Sequence, residues 1–243
     1  MHGEERNISD AIHVVNGFGL NVQDIILSSI ASGCIVASET ERENGTIVID
    51  IGAGSTDYIV YRGGHIVRTG VVPVGGDHLT NDISLGLRID CKHAEKLKLK
   101  FGKALLDRNE KSDQIWLIGD LTIGDRMIKR RALHQIINAR MEELFVIIKQ
   151  QVGELLNPKD LAAGAILTGG TARLPEIDAL AANVLGVETR LGDNPSWVRE
   201  DLRGPEYSTV LGLLYYALTS PEKNTVSKKQ TGILNRIFSA LGF

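Results

Sequence analysis

The sequence predicts an α/β fold in which short buried strands alternate with helices. The first observation is the stretch at residues 46–51, which is apolar except for one threonine and one aspartate. Such a run is typical of a strand that is covered on both faces of its sheet. The second is that strand-like and helix-like segments alternate along the chain without an internal repeat. Hydrophobic residues make up 43% of the 243 residues and charged residues 23%, a composition that favours a globular chain over a disordered one.

Periodicity and turn residues predict the elements in chain order. Helices are expected at residues 10–19, 30–39, 93–101, 126–152, 174–185, 207–218 and 233–241. A further helix is expected after Gly76, with Asp77 as its N-cap, and Pro175 is expected in the first turn of helix 174–185. Strands are expected at 24–27, 46–51, 57–62, 65–69 with an extension at 71–74, 113–123, 162–168 and 187–191. Gly63 and Gly64 predict a hairpin turn between strands 57–62 and 65–69.

Composition excludes several classes of function. The net charge of −3 is too close to neutral for a nucleic-acid-binding surface, so no nucleic-acid partner is expected. Cys34 and Cys91 are the only cysteines, which is too few for a disulfide framework or a cysteine zinc site. We expect both to be buried free thiols. The sequence has no run of about 18 apolar residues that would predict a membrane-spanning helix.

A phosphate-binding turn is predicted at residues 50–57, in the sequence Asp-Ile-Gly-Ala-Gly-Ser-Thr-Asp. Its glycines let the backbone bend tightly and approach a ligand, and successive N–H groups in such a turn form an anion nest. The hydroxyls can donate to phosphate oxygens, and Asp50 can hold a water of Mg²⁺. The turn is neither a Walker A loop nor a dinucleotide fingerprint, since a strand follows it. The phosphate-binding candidates are Gly52, Ala53, Gly54, Ser55 and Thr56, and a glycine hairpin without a ligand is the alternative.

A second glycine site is predicted at residues 166–174, where a strand ends in Gly169 and Gly170 and a helix follows. Glycines at that junction leave room for a flat group against the backbone, and a helix N-terminus favours an anionic neighbour. An ordinary strand-to-helix turn is an equally good interpretation of this stretch alone. Two such turns in one chain favour a ligand site over two unrelated turns.

The two glycine turns resemble the second phosphate loop and the adenosine loop of the actin, Hsp70 and sugar-kinase ATPase superfamily. Residues 29–37 and 209–213 look like the two helices that connect the domains in that superfamily. Residues 70–83 and 131–144 are similar to one branch of it, the bacterial cell-division FtsA family, and the similarity covers nearly the whole chain. The resemblance implies an actin-like (ribonuclease H-like) domain II with an inserted small α/β subdomain and a C-terminal amphipathic helix.

The resemblance also implies a domain organisation. Residues 1–40 are expected to be a remnant of actin-like domain I with a connecting helix, and residues 41–89 and 138–219 the two parts of subdomain IIA. Residues 90–137 are expected to form subdomain IIB, and residues 220–243 a basic linker with a membrane-targeting helix. Most of domain I, including the first phosphate loop, is expected to be missing from this chain. We therefore expect weak nucleotide binding and impaired polymer contacts.

ATP and Mg²⁺ are the ligands that the resemblance implies, with slow or no turnover of ATP. By that resemblance Asp50 holds the metal-bound water and the turn after it holds phosphate. Glu95 and Lys98 match the Glu-x-x-Lys helix that lies over the ribose and base, and at i and i+3 they share one helix face. A solvated ion pair is the alternative for these two residues. The residues that would flank the adenosine are Gly169, Gly170, Thr171 and Arg173.

The tail of the chain is expected to bind an anionic membrane surface. Residues 221–243 hold one acidic and four basic residues. Five apolar residues recur there at i, i+1, i+4, i+5 and i+8, which places them on one stripe of a helix. Such a helix suits the interface of an anionic membrane, and docking on the chain's own domain is the alternative. The expected membrane-contacting residues are Ile233, Leu234, Arg236, Ile237, Phe238 and Leu241.

The resemblance implies an adaptor that tethers the FtsZ ring to the cytoplasmic face of the cell membrane at the division site. It implies that subdomain IIB and the helix after it receive the C-terminal peptide of FtsZ. Arg130 is the candidate contact, with a solvated basic face as the alternative. Self-association as an actin-like polymer is also implied. Three other interpretations stay open: another ATPase or chaperone of the superfamily, an MreB-like filament or pilus-assembly protein, and an inactive domain fragment.

Overall fold

The computed structural model describes residues 5–106, 113–117 and 125–219. Within these ranges the strands are β1 (Thr46–Ile51), β2 (Thr56–Arg62), β3 (His65–Val72), β4 (Gln114–Leu117), β5 (Arg126–Lys129), β6 (Ala165–Thr168) and β7 (Thr189–Leu191). The α-helices are α1 (Glu5–Gly17), α2 (Ser28–Val36), α3 (Glu39–Asn44), α4 (Gly76–Leu87), α5 (Cys91–Phe101), α6 (Arg130–Val152), α7 (Ile177–Leu185) and α8 (Ser208–Thr219). The predicted α/β class is confirmed.

The main sheet has the strand order β3-β2-β1-β6-β7. β1 pairs antiparallel with β2 and parallel with β6, so that Asp50 lies level with Asp57 on one side and Thr168 on the other. Helices α4, α6 and α7 cover one face of the sheet, and α2 and α8 cover the opposite face. Every residue of β1 is buried for this reason, as its nearly continuous apolar run predicts.

A small sheet forms where β4 pairs antiparallel with β5. Ile115 and Ile128, one from each strand, are buried in the same hydrophobic cluster as Leu97 of α5 and Leu133 of α6. That cluster continues into the core under the main sheet, so the two sheets share one core. The boundaries of the implied subdomains stay a prediction.

Helices α2 and α8 cross at a point where their backbones nearly touch. A Cβ atom added at Gly212 would lie 1.8 Å from the carbonyl oxygen of Ala31. On the same helix layer, a Cβ at Gly33 would lie 2.5 Å from the hydroxyl of Tyr61. Because Gly212 has no side chain, α8 can pack closely on α2, and because Gly33 has none, α2 can pack closely on the sheet.

Several predicted elements are wrong in detail. Residues 24–27 form no strand, and residues 126–129 form β5 rather than the first turn of the long helix, because they pair with β4. The helix predicted at 30–39 breaks after Val36, where Ser38 caps the separate helix α3. Helix α4 is capped by Gly75, which leaves Asp77 inside its first turn. Short segments of this kind carry weak periodicity, so pairing and capping decide their structure.

The second glycine turn also differs from its prediction. Residues 170–173 form a short 3₁₀ turn and α7 begins at Ile177, so Pro175 precedes the helix instead of lying in its first turn. Neither cysteine is fully buried: Cys34 is half-buried and Cys91 is exposed, and both are free thiols.

Two further predictions fall at least partly outside the described residues. The linker and amphipathic helix at 220–243 lie beyond them, as do residues 118–123 of the strand predicted at 113–123. Among the helices in the described ranges, none combines the length and apolar character that crossing a membrane requires.

Candidate functional site

The turn between β1 and β2 presents backbone N–H groups on one side and is held by its carbonyls on the other. The N–H of Gly52 donates to the carbonyl of Ser55 at 3.0 Å and closes the turn. The carbonyl of Gly52 accepts from the N–H of Gly76 at 3.0 Å, and that of Ala53 accepts from the N–H of Asp77 at 2.8 Å. The amides of residues 53–55 have no partner among the described residues. This arrangement matches an anion nest.

The second glycine turn lies directly against the first. The hydroxyl of Thr171 donates to the carbonyl of Gly52 at 3.1 Å. Gly169 has a φ of +89°, and a Cβ there would lie 2.5 Å from both the Asp50 carboxylate and the carbonyl of Ile51. Glycine is required at this position by its backbone conformation and by the space available. The two predicted turns therefore form one site.

A cavity of about 510 Å³ opens between the two turns, α4 and α5. That volume falls within the roughly 300–1,000 Å³ range of small-molecule sites. Six of the predicted residues line it: Ala53, Glu95, Lys98, Gly170, Thr171 and Arg173. Sequence reasoning did not identify the other lining residues, which are Gly76, Asp77, Leu79, Leu99, Leu174 and Pro175. The glycine pair that begins α4 was the available signal, since it follows a strand as the other two turns do.

The Lys98 ammonium is fixed by hydrogen bonds inside the cavity wall. It donates to the carbonyl of Gly76 at 3.1 Å and to the Thr80 hydroxyl at 2.8 Å, and it lies 2.6 Å from the Glu95 carboxylate. The lysine side chain is only 12% exposed, against 40% for Glu95. The ion pair between Lys98 and Glu95 is therefore not a solvated surface pair, because its lysine is largely buried. Lys98 ties α5 to the first turn of α4 and leaves Glu95 as the more accessible of the two.

Glu95 is held as a carboxylate. Burial by itself raises its pKa, but hydrogen bonds from Lys98 and Thr80 and the charge of Lys98 outweigh burial and hold the pKa below its ordinary value. The cavity therefore offers one ionised acceptor beside α5.

Asp50 is buried behind the turn and does not line the cavity. One of its carboxylate oxygens accepts from the Thr209 hydroxyl at 2.7 Å, which links β1 to α8. Burial raises its pKa, and hydrogen bonds from Thr209 and Ser32 only partly offset that effect. Its cross-strand neighbour Asp57 has a pKa raised by burial and by the charge of Asp50. No group of three or more potential metal-binding side chains occurs in the described part of the chain.

The remaining predicted residues of the first turn differ in their exposure. Gly54 faces open space, with nothing within 4 Å of an added Cβ. Ser55 is half-buried. Thr56 is fully buried and its hydroxyl donates to the carbonyl of Val74 at 2.8 Å. In this arrangement the Thr56 hydroxyl anchors the segment that follows β3, and its expected contact with a phosphate stays a prediction.

Two arginines lie at different edges of the structure. Arg173 is at the cavity mouth, 65% exposed, where it forms a 2.6 Å ion pair with Glu206. Arg130 lies at the first turn of α6, away from the cavity. Its N–H donates to the carbonyl of Asp113 at 2.9 Å, and its guanidinium stands 5.5 Å from the centre of the Phe101 ring. Its buried Nε has no hydrogen-bond partner among the described residues.

Comparison with known proteins gives one consistent family. The sequence model of the family described as "Cell division protein FtsA" matches residues 47–212. The chain is 33% identical over 217 residues to Cell division protein FtsA of Bacillus subtilis, covering 88% of the chain and 48% of that protein. It is 35% identical over 205 residues to the protein of the same name from Pseudomonas aeruginosa, covering 82% and 48%. The chain thus spans about half the length of the curated relatives it matches.

The solved structures give the same fold. MreB5 of Spiroplasma citri, in a crystal structure bound to ADP, matches with a TM-score of 0.72 at 21% identity, covering 89% of this chain and 66% of that one. MreB is an actin-like ATPase, so this likeness shows that the described residues adopt the actin-like fold.

Proposed function

This chain belongs to the FtsA family of cell-division proteins, and we propose that it acts there as a nucleotide-binding adaptor between the FtsZ ring and the membrane. The observation that carries the proposal is the contact between the two glycine turns, which places unpaired N–H groups at the edge of one cavity. The family match favours this function over an MreB-like filament, a pilus-assembly protein or a chaperone.

The cavity suits an adenine nucleotide. The free amides of residues 53–55 would receive phosphate, while Leu99, Leu174 and Pro175 offer apolar surface to a base. The ionised Glu95 is an acceptor for ribose hydroxyls. Mg²⁺ would neutralise phosphate charge, and we assign Asp50 to one of its waters. We assign no catalytic residue, in keeping with slow or no turnover. That the neighbour MreB5 binds ADP supports this assignment.

Arg130 is proposed to contact the acidic C-terminal peptide of FtsZ. Its ring contact with Phe101 and its backbone bond to Asp113 hold the guanidinium beside β4 and β5. We expect Arg130→Glu to weaken peptide binding at least about tenfold, because it removes a charge-assisted contact and introduces repulsion. Fluorescence anisotropy with the labelled peptide measures this.

Arg131→Glu is the matched control, since Arg131 is an exposed neighbour in the same helical turn. It makes the same change in charge and should reduce affinity far less. Equal losses in the two variants would show that general charge, and not a contact of Arg130, binds the peptide.

The tail is proposed to attach the protein to the cytoplasmic face of the cell membrane at the division site. Burying a large apolar side chain contributes about 1.5–3 kcal/mol when complete, and each basic residue near an anionic surface adds about 1 kcal/mol. Phe238→Glu places a charge in the apolar stripe, so we expect at least a tenfold loss of binding to anionic vesicles in co-sedimentation. Ser239→Glu adds the same charge on the opposite side of that helix and should bind nearly as wild type does. Unchanged pelleting of Phe238→Glu would refute the tether.

The proposal extends to self-association as an actin-like polymer. The support is the fold alone, because the actin-like fold is shared with MamK, which forms a double helical filament.

A further inference from the structure

An apolar groove lies on the surface between α1 and the segment that follows it. Its volume is about 350 Å³, and its lining is almost entirely apolar. Ile8 and Ile25 are 40% and 54% exposed, so the described residues leave these side chains largely uncovered. An apolar surface of this kind marks an interaction site. The apolar residues that line it are Ile8, Ala11, Ile12, Val15, Val22 and Ile25.

We propose that the occupant of this groove is the chain's own tail, with the apolar stripe of residues 233–241 packed against α1 when no membrane is present. The spacing of the two segments is the first argument. The apolar lining residues on α1 fall at positions 8, 11, 12 and 15, and the apolar residues of the tail fall at 233, 234, 237, 238 and 241. Positions 8, 11, 12 and 15 repeat the spacing of positions 234, 237, 238 and 241, which is i, i+3, i+4 and i+7. A helical tail with this spacing can pack its stripe along that of α1.

The described chain ends on the side of the molecule where the groove lies. Helix α8 ends at Thr219, and one turn earlier the Tyr216 hydroxyl lies 3.4 Å from the Asp24 carboxylate. Asp24 precedes Ile25, which lines the groove. The described chain therefore ends close to the groove, and thirteen residues, the number in 220–232, can extend about 45 Å. That is more than the roughly 20 Å length of α1, so the tail reaches the groove without strain.

The third argument is charge. Residues 5–27 contain three acidic residues, Glu5, Asp10 and Asp24, and one basic residue, Arg6. The tail at 221–243 contains four basic residues and one acidic residue. The two surfaces are therefore complementary in charge as well as in the period of their apolar residues, which favours the tail over a second copy of α1.

Docking in the groove and insertion in a membrane use the same apolar stripe, so each excludes the other. The apparent membrane affinity is then the intrinsic affinity multiplied by the fraction of the protein in which the tail is undocked. This regulatory consequence rests on the proposed membrane tether, whereas docking itself does not. Vesicle binding and docking are accordingly tested by separate measurements.

The direct test is amide hydrogen exchange of α1 in the full chain without lipid. We expect exchange in α1 to be at least about tenfold faster in Phe238→Glu than in wild type, because the helix loses its cover. Ser239→Glu, with the same charge off the stripe, should exchange as wild type does. Equal exchange in wild type and Phe238→Glu would overturn the proposal. So would α1 protection that rises with protein concentration, since a second copy would then be the occupant.

The reciprocal test changes the groove. Ile12→Glu should speed tryptic cleavage after Lys228 and Lys229 and should increase vesicle binding, whereas His13→Glu, on the exposed side of α1, should do neither. Unchanged cleavage in Ile12→Glu would contradict docking. If wild type fails to bind vesicles while α1 is still protected by the tail, the tether fails and the docking stands.

Discussion

Gly212→Val is expected to destabilise the folded chain strongly. The added Cβ would lie 1.8 Å from the carbonyl oxygen of Ala31 and 2.3 Å from its carbonyl carbon. Both obstacles are backbone atoms, so neither can rotate away and the α2–α8 layer must separate. Overpacking in a core costs about 1–3 kcal/mol and occasionally more, and a backbone clash belongs at the upper end. A typical domain has only about 5–15 kcal/mol of stability, so a loss of this size removes a substantial share of it.

Urea denaturation measures the effect of this change. Gly54→Val is the matched control, because the same substitution there meets nothing within 4 Å and should leave the midpoint nearly unchanged. A Gly212→Val protein that unfolds at the wild-type midpoint would show that α2 and α8 do not approach as closely as described.

The second large effect concerns Gly54 itself. A valine there should leave the fold intact but reduce Mg²⁺-ADP affinity at least about tenfold, because its side chain occupies the space in front of the free amides. Gly17→Val, at another glycine with nothing within 4 Å, should bind as wild type does. We expect the wild-type dissociation constant to exceed about 1 µM, because the described residues bring one turn of the phosphate type to the cavity. Calorimetry that gives submicromolar affinity would refute that expectation.

The parts of the site that sequence predicts are those encoded within a few consecutive residues. The turn at 50–57 carries its acid, glycines and hydroxyls in one stretch. The nearly continuous apolar run of β1 predicts that both faces of this strand are covered, and every residue of β1 is buried. Glu95 and Lys98 were predicted to share a helix face, and they do form an ion pair. Local spacing was sufficient in each case.

The parts that sequence does not predict depend on contacts between distant segments. The beginning of α4 becomes part of the site because the N–H groups of Gly76 and Asp77 donate to carbonyls in the turn between β1 and β2. The hydroxyl of Thr56 looked available to a ligand, yet it is taken by Val74. The apolar residues of 126–129 fit the spacing of a helix, but this segment forms a strand because it pairs with β4. Hydrophobic periodicity does not reveal which distant segment a residue will contact.

The most direct test of the account is a titration of the isotope-labelled full chain with Mg²⁺-ADP, followed by backbone amide shifts. If the two glycine turns form one nucleotide site, the largest shifts fall on residues 53–55 and 169–173 together, with smaller ones on α5 near Glu95. In Gly54→Val the same shifts should need at least about tenfold more nucleotide. Shifts confined to only one turn, shifts elsewhere, or no shifts at millimolar nucleotide would contradict the nucleotide assignment.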